Sequence, residues 1–142
     1  MKRITLLALL IFSSQAAFSD AKTEIKYRQS VMGVVGGHMQ AMGTILKGQV
    51  HMDDLEFHAK GMANVSSIVP KTFPEGSGKG KTEALPEIWE DKAEFKAAMD
   101  KLVAAAEGMA SASGSGDMAV IGPAIKALGG SCKGCHDNFK EE

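Results

Sequence analysis

Five residues near the end of the chain restrict its fold more than any others. They are Cys132-Lys133-Gly134-Cys135-His136, which hold the only two cysteines among 142 residues, with a histidine directly after the second. A disulfide between thiols two residues apart closes a tiny loop and stabilises little. The C-x-x-C-H pattern has a better-suited use, in which both thiols form thioethers to the vinyl groups of a haem and the adjacent histidine binds its iron. Two intervening residues set both sulfurs along one edge of a porphyrin and aim the next imidazole under the ring. A thioredoxin-type redox pair would sit between a strand and a helix, and no βαβ pattern is present. A zinc site would need further ligands, and there is no second cysteine pair to supply them. A chain built around this motif must wrap apolar side chains around a flat group held close to its C-terminus.

The other end of the chain suggests where this happens. Lys2 and Arg3 precede an apolar run from Ile4 to Phe12, followed by small residues up to Ala17-Phe18-Ser19. This is the order of a secretory signal peptide, read here as residues 1–19, with the domain occupying 20–142. The run is too short to cross a bilayer, which needs about 20 apolar residues, so an exported, periplasmic protein without membrane insertion is expected. Loss of Lys2 and Arg3 leaves 14 basic against 17 acidic residues, a net charge of −3. With no basic patch to follow a phosphate backbone, nucleic acid is not an expected partner.

Periodicity predicts an all-α domain. Ile25, Arg28, Met32, Val35, Met39, Met42 and Leu46 recur in steps of three and four, one face of a helix starting near Thr23. Met52, Leu55, Ala59, Met62, Val65 and Val69 give a second helix ending at Pro70. Residues 70–86 hold three of the four prolines with Gly76, Gly78 and Gly80, and read as a long irregular connection. A third helix follows from Pro86 or Glu87, burying Ile88, Phe95, Met99, Leu102, Val103 and Ala106. Asp117 caps a fourth, carrying Met118, Ile121, Ile125, Leu128, Cys132, Cys135 and Phe139, with a kink at Pro123 or a later start near Gly122. Short loops make neighbours antiparallel, so the expected fold is an antiparallel four-helix bundle running up-down-up-down.

In such a bundle the end of the fourth helix lies beside the start of the first, which places His136 opposite Met32. Met39 lies seven residues, roughly 10 Å, further along. A thioether from Met32 would complete His/Met ligation and suit a one-electron carrier, while a methionine on an inward stripe also serves as flexible core filler. Arg28, one turn before Met32, pairs a haem propionate or carries its charge to water at the bundle end. Lys140 meets a propionate or is solvated. His38-Met39 and His51-Met52 hint at copper, but Met39 belongs to the core stripe and His51 lies near a turn. His58 lies off the best stripe of its helix.

Tyr27-Arg28-Gln29, Pro86-Glu87-Ile88-Trp89 and Cys132 to Asp137 together make the chain resemble the cytochrome c′ family. The resemblance spans the whole mature chain. It implies a four-helix bundle with one covalently attached haem c, His136 as proximal ligand, export to the periplasm and possible homodimers through the first two helices. The residue facing the open iron site is often Leu or Phe in the branch that binds NO or CO, and here it is Met32. Met32 resembles the low-spin, six-coordinate branch, and implies an electron carrier serving unidentified redox partner proteins, with a gas-binding five-coordinate protein as the alternative. The family's basic residue one turn after the haem histidine is usually Arg, and here it is Lys140. No nucleophile and general-base pair is arranged for catalysis, so no enzyme is expected.

Overall fold

The computed structural model describes residues 13–141, with side chains from Asp20 onward. The export signal read at residues 1–19 lies outside this description apart from the backbone of its last seven residues. Five helices follow in order: α1 (Ser13–Gly48), α2 (Leu55–Ser66), α3 (Glu87–Glu90), α4 (Lys92–Ser113) and α5 (Met118–Phe139). Among the described residues there is no β-strand, only a single antiparallel bridge between Ala84 and Lys140. None of the described helices is long and apolar enough to cross a membrane.

α1, α2, α4 and α5 form a four-helix bundle. α1 packs on α2, α2 on α4 and α4 on α5, whereas α1 and α5 barely meet. The core between them is built from fully buried Met42, Leu55, Met62, Met99, Met109 and Leu128. Four of these six are methionines, unbranched side chains that fill irregular gaps between helices.

Local chemistry moves several boundaries from those the periodicity predicts. α1 is already helical at Ser13, where the described residues start, ten residues before the expected start at Thr23. The second helix is shorter than its apolar stripe, because Met52–Asp54 and Val69–Thr72 form 3-10 turns at either end. The expected third helix is broken at Asp91, whose backbone leaves the helical region while its carboxylate accepts the amide of Glu94 at 3.1 Å to start α4 afresh. α3 is thus a single turn carrying Ile88 and Trp89. α5 starts where Asp117 caps it, accepting the amide of Ala119 at 2.8 Å, and runs through Pro123 rather than starting at Gly122. Proline there forgoes one helical hydrogen bond, a cost met by its neighbours: Ile121 and Leu128 on the same helix are fully buried.

The α1 stripe is split between two tasks. Val31 and Ile45, off the predicted stripe, are buried in the core, while Met32, Met39 and Leu46 are only partly buried. Met32 and Met39 face a cavity instead.

Candidate functional site

The space where α1 and α5 fail to meet is a cavity of about 500 Å³, within the range of cofactor-sized sites. α5 supplies one wall with Cys132, Cys135, His136 and Phe139, and α1 supplies the facing wall with Met32, Val35, Gly36 and Met39. Phe95, Met99 and Leu102 of α4 close the inner side, and Arg28, Gln29, Thr82, Glu83 and Lys140 add polar groups. The motif and the expected distal residue, 100 or more positions apart in sequence, therefore share one cavity.

Both cysteines are free and half-buried. Desolvation pushes the Cys132 thiol up, and pushes that of Cys135 up to about 11 with help from Cys132. A redox-active thiol is instead held low, next to a cation or a helix N-terminus, and these two lie near the C-terminal end of α5. The donor set fits a haem: two sulfurs and an imidazole on adjacent turns of one rigid helix, facing apolar walls, with cations at the rim. Among the described residues no group of three or more His, Cys, Asp or Glu side chains is placed to hold a metal by itself.

The rim cations have protein partners. Arg28 is 3% exposed, so it does not carry its charge to water. Its Nη1 donates to the Thr72 carbonyl (3.1 Å) and the Ser77 hydroxyl (2.9 Å), and its Nη2 to the Ser77 carbonyl (2.9 Å) and the Thr82 hydroxyl (3.0 Å). The guanidinium also lies 4.9 Å from the Phe73 ring centre and 5.9 Å from that of Trp89, within cation–π range. Burial pushes Arg28 below its ordinary value, with Glu24 opposing. Lys140 pairs with Glu83 at 2.9 Å and holds that carboxyl below its usual range, chiefly by hydrogen bonding and then by its charge.

The connection between α2 and α3 is thus part of the site. It contributes Phe73, Thr82, Glu83 and Ala84 to the cavity and is fastened at three points. Arg28 holds its middle, Trp89 donates to the carbonyls of Phe73 (3.2 Å) and Pro74 (3.1 Å), and the Leu85 and Glu141 amides tie it to the end of α5. Gly78 is required beneath Trp89, since a Cβ there would come within 2.7 Å of the indole. Phe73, Phe95 and Phe139 stack edge to face between α5 and the connection, with centroids 4.9 and 5.3 Å apart. Sequence reading placed this segment as a long irregular connection but did not find its part in the site. The available signal was Arg28 itself, because an inward guanidinium demands acceptors, and the Ser/Thr-containing connection holds them.

A family model described as Cytochrome C' matches residues 23–140. The chain belongs to the cytochrome c′ family. Its prosthetic group is accordingly a covalently attached haem c with iron. The cytochrome c′ of Rhodospirillum rubrum is 40% identical over 147 residues, covering 100% of both chains. The solved cytochrome c prime from Shewanella frigidimarina is 37% identical with a TM-score of 0.82, over 86% of this chain and 97% of that one. A ferrous variant of cytochrome c prime from Alcaligenes xylosoxidans with bound NO is 28% identical with a TM-score of 0.79, over 86% and 96%, and another variant of that protein carries carbon monoxide.

Proposed function

We propose that this cytochrome c′ is a periplasmic haem protein whose distal pocket admits NO or CO, with haem attached through Cys132 and Cys135, His136 as the proximal ligand and Met32 as a wall of the pocket. The observation that carries this reading is the cavity itself. Its α1 wall presents Met32, Val35, Gly36 and Met39, none of them an imidazole, carboxylate or amine, while Glu83 and Lys140 at the rim are paired with each other. The NO and CO complexes of the Alcaligenes relative support the same assignment. When bound, haem supplies the iron at which such diatomics are held.

The chain's own residues set access and orientation. α5 fixes both thiols and the imidazole on one rigid element, and α1 places an apolar surface over the opposite side. The connection, clamped by Arg28, covers the polar edge. Arg28 and Lys140 line the cavity and would be the cations to meet a haem propionate, each already paired with protein groups that hold the connection in place. No bond-making chemistry is assigned to the site, and the protein functions as a binding protein rather than an enzyme.

The second reading, a one-electron carrier in which the Met32 thioether ligates iron, rests on Met32 being a soft donor in the same cavity as His136. One experiment separates the two. On the gas-binding reading an incoming CO displaces the Met32 side chain, so Met32→Ala raises the CO affinity of the ferrous protein about tenfold, equivalent to about 1.4 kcal/mol, without changing the spin state of the ferric form. If Met32 is a ligand, the same substitution converts a low-spin ferric spectrum to a high-spin one. CO titration and absorption spectra of both proteins decide.

A further inference from the structure

α1 and α2 bring together two histidines that lie 20 positions apart. The Nδ1 atoms of His38 and His58 are 3.2 Å from each other, and the rings meet edge to face with centroids 5.4 Å apart. Both side chains are half-buried, and neither lines the haem cavity. Gly61 makes the arrangement possible: a Cβ at that position would lie 2.4 Å from Cε1 and 2.6 Å from Nε2 of His38, so the imidazole rests directly on the α2 backbone.

We propose that His38 and His58 form a bidentate site for a first-row divalent transition metal, held most tightly as copper(II), separate from the haem. The geometry carries the argument. Imidazole nitrogens bind such ions at about 2.0–2.1 Å, so two of them on one ion are roughly 2.9 Å apart at a right angle and about 3.3 Å apart at the tetrahedral angle. The observed 3.2 Å falls inside that interval, so the two helices already hold the nitrogens at chelating distance and only the rings need to turn to aim both lone pairs at one ion. In the metal-free pair one Nδ1–H donates to the other Nδ1. On binding, the donor ring gives up that proton to solvent and takes one at Nε2, so both rings ligate as neutral imidazoles.

Two donors from two rigid helices make a preorganised edge. No third His, Cys, Asp or Glu among the described residues completes a cage, so water fills the remaining positions. That composition favours copper(II), which stands highest in the divalent affinity order and accepts tetragonal nitrogen and oxygen donors. Structural zinc instead draws four protein ligands.

The test is equilibrium dialysis of the haem-loaded full chain against copper(II), with metal counted per haem and the copper EPR signal examined for splitting by two nitrogens. His38→Gln and His58→Gln are each expected to weaken the tight site by at least ~10-fold, the lower end of what loss of a mere supporting contact to a ligand costs. Gly61→Ala retains both imidazoles but drives His38 off its seat, and is expected to weaken the site as well, with the haem spectrum unchanged as the check on folding. His51→Gln, which removes an exposed histidine paired only loosely with Asp54 at 3.9 Å, is expected to leave it intact. A tight site that survives both His38→Gln and His58→Gln, or that disappears in His51→Gln, overturns the proposal.

Discussion

With Cys132 and Cys135 both replaced by alanine, haem is expected to leave the chain completely under acidified organic solvent, whereas the parent protein keeps one haem per chain. Both thiols border the cavity from the same face of α5 and neither is in a disulfide, so both are available for thioether formation. His136 remains in the double variant and gives at most a dissociable contact, because a lone imidazole–iron bond does not survive acid. A haemochrome assay on the precipitated polypeptide measures the ratio. Haem retained by the double variant would mean that attachment occurs elsewhere, and the assigned role of the motif would be lost. The cost reaches the fold as well: a group bound only by the native state stabilises that state, and the wall between α1 and α5 is otherwise open.

The second large effect is expected at Arg28. Arg28→Leu strands the carbonyls of Thr72 and Ser77 and the hydroxyls of Ser77 and Thr82, all of which it satisfies. Each buried polar group left unpaired costs ~1–3 kcal/mol. Removing the guanidinium recovers part of this, because a buried charge carries its own desolvation penalty. Of these four acceptors, the Ser77 hydroxyl still donates to the Pro74 carbonyl and the Thr82 hydroxyl still accepts from the Ala84 amide at 3.1 Å, so the two carbonyls carry most of the cost. The net expectation is a loss of about 3 kcal/mol, or roughly 10 °C in melting temperature for a domain of this size. Arg28→Lys should recover less than half of that, because one ammonium cannot span acceptors placed for a planar fork. Thermal unfolding of the haem-loaded proteins measures the loss, and amide exchange at Ser77 and its neighbours locates it. A change below about 1 kcal/mol would show that Trp89 and the ties to α5 hold the connection without Arg28.

Arg28 also marks what could and could not be read from the sequence. Its place on an inward stripe was visible, as was its need for partners, but the partners are 44 to 54 positions away in a segment whose prolines and glycines carry no periodicity. Helical spacing found the four long helices and placed Cys132, Cys135 and His136 on one of them, because packing against a core repeats every three to four residues. It separated core from cavity only at Met32 and left Met39 in the core. Val31 and Ile45 took the buried positions while Met32 and Met39 turned to the pocket, a rotation that depends on how far α5 stands from α1. Nor did it find the break at Asp91, where a single carboxylate restarts the helix inside an unbroken apolar pattern. The pairing of His38 with His58 was hidden for a similar reason, since His58 looked misplaced on α2 until α1 was set beside it.

The most direct test of the account is the ferric spin state of the haem-loaded protein, read from its absorption and EPR spectra at neutral pH. The proposed gas-binding site, with His136 on one side and the apolar α1 wall on the other, predicts a high-spin or mixed-spin five-coordinate signal that is retained in Met32→Ala. A low-spin signal with the far-red band of methionine sulfur, abolished by Met32→Ala, would contradict it and make the protein a His136/Met32-ligated electron carrier.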